Sequence, residues 1–292
     1  MTDGGAPFPL LPFTSQETIR KCLYLEESQS LKTLFIASYP KSGTTWMQAI
    51  IFHLLSSGQI PLQHISLFSP FYELNATWNE DDDRICTKYA NNHELLGWRV
   101  FNTHLLPSML PKGDSVKYIY VYRNGRDVAI SFFHHLSNQV SDGVCVDNVK
   151  QFLTDWSNGL LPFGSWIQHL RCWLTKIDDL VINNVLLVRY EDLKSDLRAS
   201  IFRISKFLNH EVSDSRLEEL SALLSFDSMK ASKSLYEPIS VQWKEGFEFL
   251  RKGKVGDSKE YFGADEELLI CSMLDREFPD GVPDWFSSLG LL

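Results

Sequence analysis

Four short apolar runs of strand composition, at residues 34–38, 98–104, 116–122 and 185–190, alternate with segments of helical periodicity. Helical patterns are expected at 14–25, 44–55, 128–136, 147–156, 165–177, 197–208, 214–224 and 265–277. An alternation of this kind predicts an α/β fold, a mainly parallel sheet with helices on both faces. Ligands then sit beyond the C-terminal ends of the strands. Lys41, His104, Arg123 and Tyr190 each fall just past one of the runs, and that convergence weighs more than any single motif. With 44% hydrophobic residues in 292, the chain can bury a large core. Nothing reads as a linker, so residues 14–292 are expected to form one domain behind a flexible Gly/Pro-rich start at 1–13.

The first run feeds the loop Tyr39-Pro40-Lys41-Ser42-Gly43, and a helical pattern begins at Thr44. Strand, tight loop and helix N-terminus together present free amides and a positive dipole end, which attract anions. Lys41 adds a full charge, Ser42, Thr44 and Thr45 add hydroxyls, and Gly43 allows close backbone approach. The spacing differs from G-x-x-x-x-G-K-[ST], because the lysine precedes the single glycine. On spacing alone, phosphate binding and an ordinary capped turn are equally good readings.

The bulk numbers exclude some classes. A net charge of −9 without a basic arm argues against a nucleic-acid partner. Five scattered cysteines, without metal-ligand spacing, fit reduced thiols in a cytoplasmic protein. No signal peptide and no run long enough to span a membrane are visible, so the sequon Asn75-Ala76-Thr77 is not expected to be glycosylated. An acidic run at 80–83 reads as the start of a short solvated helix.

From 34 to about 278 the chain resembles the cytosolic sulfotransferases that use 3'-phosphoadenosine 5'-phosphosulfate (PAPS). The resemblance rests on separated motifs in order: 39–46 (YPKSGTTW), Thr103-His104-Leu105, 122–131 (YRNGRDVAIS), 164–169 (GSWIQH), Tyr190-Glu191-Asp192, and Arg251-Lys252-Gly253 with Gly256-Asp257. It implies that Lys41, Ser42, Gly43, Thr44 and Thr45 hold the 5'-phosphosulfate and that Trp46 contacts adenine. It implies further that Arg123, Ser131, Arg251, Lys252 and Gly253 bind the 3'-phosphate, and that Tyr190 and Phe226 complete the adenine site beside Ser225 and Met229. His104 is implied as the general base, with Lys41 stabilising the departing oxygen. The product would be adenosine 3',5'-bisphosphate (PAP), and no metal is required. By itself His104 also reads as a buried structural histidine.

Aromatic residues in loops suggest an acceptor wall of Phe71, Trp78, Phe133, Tyr236 and Phe247, with Asn102, and further aromatic candidates Phe68, Phe132 and Trp243. Such a pocket suits phenols, sterols and other lipophilic alcohols. Asn102 stands where many relatives carry lysine, Leu224 where threonine is frequent, and Ser258 where tryptophan is frequent. The family's dimer motif K-x-x-x-T-V-x-x-x-E retains Lys259 but has Gly263-Ala264 and Leu268, so dimerisation by that route is doubtful. A metal-dependent kinase would need a two-glycine loop that is absent. A catalytically weak or inactive nucleotide-binding relative stays open, with Asn102 as its best support.

Overall fold

The structure, a computed structural model, describes residues 8–11, 14–23, 25, 31–78, 89–140, 148–175, 184–239 and 241–292. Its centre is a sheet of four strands, β1 (Lys32–Ser38), β2 (Trp98–Thr103), β3 (Val116–Tyr122) and β4 (Val185–Arg189), all paired in parallel in the order β2-β1-β3-β4. Alternation along each strand sorts side chains between two layers. Phe35, Ala37, Tyr118 and Tyr120 enter one core, and Leu34, Ile36, Ile119 and Val121 enter the other. Both faces of β1, β2 and β3 are largely buried, so these strands are rich in apolar and aromatic residues, whereas β4 at the sheet edge is mostly half-buried.

Helices divide accordingly. On the aromatic side lie α1 (Gln16–Leu23) and, after α2 (Thr44–Leu55), α3 (Ile65–Phe68) and α4 (Ala90–Leu96), the helices α5 (Gly125–Ser137), α6 (Val149–Ser157) and α7 (Trp166–Thr175). Trp156, Trp166 and Trp173 are fully buried there, and Trp173 stacks on Tyr120 at 4.9 Å. The opposite side is mostly aliphatic. It is covered by α2 and α3, then by α8 (Tyr190–Ser195), α9 (Leu197–Phe207), α10 (Asp214–Leu223) and α11 (Phe226–Ala231). The last long helix, α12 (Ala264–Glu277), returns to the aromatic side through Ile270 and Met273.

β1 connects to β2 on one side and β3 to β4 on the other, so the topological switch lies between β1 and β3. A ligand crevice is expected at the C-terminal ends of those two strands. Arg123 bridges it by donating from Nη1 to the Lys41 carbonyl at 3.4 Å.

Several boundaries differ from the sequence reading. The helical pattern expected from 14 begins at Gln16: Ser15 caps α1 by accepting from the Thr18 amide at 3.0 Å, and the Asn75 carboxamide oxygen takes the Ser15 amide at 2.8 Å. The sequon asparagine is thus tied to a helix start. α5 begins at Gly125, earlier than expected, because Asn124 caps it from inside the break between strand and helix. The acidic run at 80–83 lies outside the described residues. Within the start expected to be loose, the Pro9 carbonyl accepts from the Phe163 amide at 2.7 Å. Among the described residues, no helix is long and apolar enough to cross a membrane.

Candidate active site

β1 ends at Ser38 and α2 starts at Thr44, which leaves five residues to reverse the chain. Lys41 and Gly43 take positive φ angles of 67° and 110°. A Cβ at Gly43 would stand 2.7 Å from the Tyr190 ring, so both angle and space demand glycine. No side chain caps α2, and its first amides therefore lack partners within the helix. Thr44, Thr45 and Trp46 line a cavity of about 320 Å³. The Ser42 hydroxyl is buried without a hydrogen-bond partner.

Arg123 follows β3 and stacks its guanidinium 4.3 Å from the Tyr190 ring centre. It donates from Nη2 to the Lys254 carbonyl at 3.0 Å and to Asp127 at 3.4 Å, whereas its buried Nε has no partner. Asp127 in turn accepts the amides of Gly256 (2.8 Å) and Ser258 (3.1 Å) and so anchors the basic loop, residues 250–257, to α5. Asp257 takes Arg251 and Lys252 together, the latter at 2.7 Å. Gly253 lies directly under Phe226: a Cβ there would come within 2.2 Å of the ring. Trp46 donates its indole N–H to the Leu224 carbonyl at 2.9 Å and meets Tyr190 edge-on at 5.6 Å. Lys194 Nζ sits 5.7 Å from both the Trp46 and Phe226 rings.

His104 is fixed at three points. Its amide donates to Glu73 at 2.6 Å, its carbonyl accepts from His169 Nε2 at 3.0 Å, and its Nδ1 lies 2.7 Å from the Ser38 carbonyl. A carbonyl can only accept, so Nδ1 carries the proton and Nε2 keeps a lone pair. Tyr120 O–H supports the chain of contacts by donating to His169 Nδ1 at 2.9 Å. The rings of Phe71 (5.3 Å) and Phe163 (5.1 Å) flank the imidazole. Burial pushes His104 down to about 4 and the Glu73 carboxyl up to about 7. Lys41 is lowered to about 7, first by burial and then by Arg123 and Arg251.

The cavity gathers Lys41, Gly43, Thr44, Thr45, Trp46, Phe71, Asn102, His104, Arg123, Ser131, Tyr190, Phe226, Met229, Tyr236, Arg251, Lys252 and Gly253. Ser225 is outside its lining and caps α11 by accepting the Ser228 amide at 3.3 Å. Trp78, Phe133 and Phe247 are not in the wall either. Trp78 donates its indole N–H to the Tyr72 carbonyl at 2.9 Å, Phe133 packs on Phe152 at 5.5 Å, and Phe247 stacks on Trp243 at 4.6 Å. Phe68 packs in the core against Phe52 at 5.2 Å, whereas Phe132 does reach the cavity. Asn102 donates its side-chain N–H to the Ser69 carbonyl at 2.7 Å. Sequence reasoning passed over His135, Phe163 and Phe249, which line the cavity. For His135 a signal existed: Asp127, Ser131 and His135 recur every fourth residue and share one face of α5.

Comparisons with known proteins show the family. A family model described as a sulfotransferase domain matches residues 31–270. Rabbit amine sulfotransferase is 31% identical over 260 residues, covering 85% of this chain and 81% of its own. Human sulfotransferase 2B1 is 34% identical over 269 residues, 88% of this chain and 68% of its own. The crystal structure of mouse sulfotransferase SULT7A1 complexed with PAP matches with a TM-score of 0.71 at 26% identity, covering 94% of this chain and 93% of the other.

Proposed function

Since the chain belongs to the sulfotransferase family and is similar to a PAP-bound member, we propose that it moves a sulfuryl group from PAPS to a hydroxyl, or an amine, of a small lipophilic acceptor, with His104 as general base. The observation that carries this reading is that His104 and Lys41 line one cavity. The buried, unpartnered Nε of Arg123, a residue that lines the cavity, fits an anion of a bound nucleotide; Ser42, also buried and unpartnered, lies outside the lining.

When bound, PAPS supplies the activated sulfuryl group. This chain's residues do the rest. Thr44, Thr45 and the start of α2 would hold the 5' end, while Arg123, Ser131, Arg251, Lys252 and Gly253 would hold the 3'-phosphate. Trp46, Tyr190 and Phe226 would enclose the adenine, with Met229 alongside. His104 Nε2 would take the acceptor's proton as its oxygen attacks sulfur in line. The bond from Nδ1–H to the Ser38 carbonyl holds the ring and stabilises the positive charge it gains. Lys41 would meet the charge developing on the oxygen that leaves sulfur. This scheme needs no metal.

Phe71, Tyr236 and the rings beside His104 favour an apolar acceptor. Asp127 and Asp257, the carboxylates that line the cavity among the described residues, are engaged by the basic loop. A neutral phenol or alcohol therefore suits the acceptor end better than a cationic amine. The test is transfer of labelled sulfate from PAPS to a panel of phenols, sterols and amines in the presence of EDTA. Turnover on a neutral hydroxyl is expected. PAP binding without turnover on any acceptor would instead favour a nucleotide-binding protein, the reading to which Asn102 lends support.

A further inference from the structure

Lys41 does not point into open space. Its ammonium lies 3.2 Å from His135 Nδ1 and 4.4 Å from the centre of the Phe249 ring. Three separate parts of the chain meet there: the loop after β1, the last turn of α5, and the segment before the basic loop. His135 is braced from behind by Trp243 at 5.0 Å. Trp243 belongs to a segment laced to the end of α5, where the Val140 amide donates to the Gln242 carbonyl at 2.9 Å and the Lys244 amide to the Asn138 carbonyl at 2.8 Å. The imidazole therefore has little freedom to turn away from Lys41, and it still lines the cavity.

We propose that His135 is a positioning residue for sulfuryl transfer, acting through Lys41 by holding its ammonium at the sulfuryl end of the cavity. This rests on the sulfotransferase reading above. An ammonium is donor-only, so Nδ1 must accept and the neutral ring carries its proton on Nε2. The choice of a neutral acceptor matters chemically. A carboxylate at the same place would orient Lys41 but cancel its charge, whereas an imidazole nitrogen orients it and leaves the positive charge for the departing oxygen. Phe249 helps in the same sense, because an aromatic face attracts a cation without neutralising it.

The experiment compares wild type, His135→Phe, His135→Asn, Lys41→Ala and the Lys41→Ala/His135→Phe double variant for kcat, acceptor KM and PAP affinity. His135→Phe keeps a ring against Trp243 and removes the acceptor. It is expected to lower kcat roughly ten- to hundredfold, the scale of a hydrogen bond to a charged group, with a smaller fall in PAP affinity. Asn places an oxygen close to the position of Nδ1 and should recover most of the loss. The double variant should be no slower than Lys41→Ala alone. A His135→Phe effect confined to acceptor KM, or losses that multiply in the double variant, would overturn the proposal. Side-chain nitrogen NMR of histidine-labelled protein, taken below pH 7 where Lys41 is an ammonium, reads the same contact without turnover. A protonated Nε2 whose partner Nδ1 shifts in Lys41→Ala supports the proposal; a protonated Nδ1 sinks it. Absence of turnover in wild type would count against the sulfotransferase reading, and the NMR result would still decide the Lys41–His135 contact.

Discussion

The two ends of the cavity are built differently. The end that we propose for the nucleotide is made at the termini of regular elements: the loop from β1 to α2, the turn from β3 to α5, the start of α8, and α11 against the basic loop. Each contributes a few consecutive residues whose types follow from anion chemistry. The end that we propose for the acceptor is assembled from Leu11, Ile65, Phe71, Phe163, Tyr236, Val241 and Phe249, which are scattered over most of the chain. His104 and Lys41 stand where the two ends join. Local order thus fixes the donor site, while the acceptor wall depends on how distant loops pack.

Breaking the junction should have the largest effect. His104→Ala removes the only lone pair that we assign to proton removal, and kcat is expected to fall by about 10²–10⁴-fold while PAP still binds. Burial holds His104 near 4, so the wild-type kcat/KM should persist as pH falls through ~6.5, the ordinary imidazole value. A steady-state pH profile reads this directly, and an acid limb at the ordinary value would contradict the lowering of His104 by burial.

Next comes a test of wall against core. Trp78 was expected in the acceptor wall, yet it is only 7% exposed and bonded to the Tyr72 carbonyl. Trp78→Ala should cost about 3–5 kcal/mol of folding stability, measured by denaturant unfolding, with acceptor preference unchanged among molecules that fold. Phe71→Ala should do the reverse, raising acceptor KM with a smaller loss of stability.

At the donor end, Arg123→Ala gives up the buried fork and the stack on Tyr190. PAP affinity by calorimetry should fall on the order of 10–100-fold. Affinity should also depend on pH. In the free protein Lys41 titrates near 7, and a bound anion raises that value. Binding is therefore strongest below about 7 and weakens above it by up to about tenfold per unit, until pH passes the raised value in the complex. Proton uptake, read from calorimetry in buffers of different ionisation heat, checks the sign. The smallest effect belongs to Phe247, stacked on Trp243 outside the cavity lining: Phe247→Ala should change acceptor KM by less than about threefold.

The same contrast explains what could be read before the structure. The four strands were legible because each is a short run rich in β-branched, aliphatic and aromatic residues that packs into the two cores. Lys41, Arg123 and Tyr190 were legible because they terminate strands, and Gly43 because its φ and the nearby Tyr190 ring allow nothing larger. Short helices were not. α3 is capped by a histidine, whose Nδ1 accepts the Ser66 amide at 3.1 Å, and histidine is not a residue from which a cap is read. Aromatic composition could not separate wall from core, since Phe71 and Trp78 stand seven residues apart in one loop-rich stretch and only the first meets the cavity. The three contacts that hold His104 come from Glu73, Ser38 and His169, and no local pattern joins them.

The most direct test of the account is a crystal structure with PAP and a phenolic acceptor bound together. The account expects the 3'-phosphate on Arg123 and Ser131, Lys41 beside the 5'-phosphate, and the acceptor hydroxyl ~2.6–3.2 Å from His104 Nε2. A hydroxyl held out of reach of His104, or PAP bound away from the loop after β1, would contradict it.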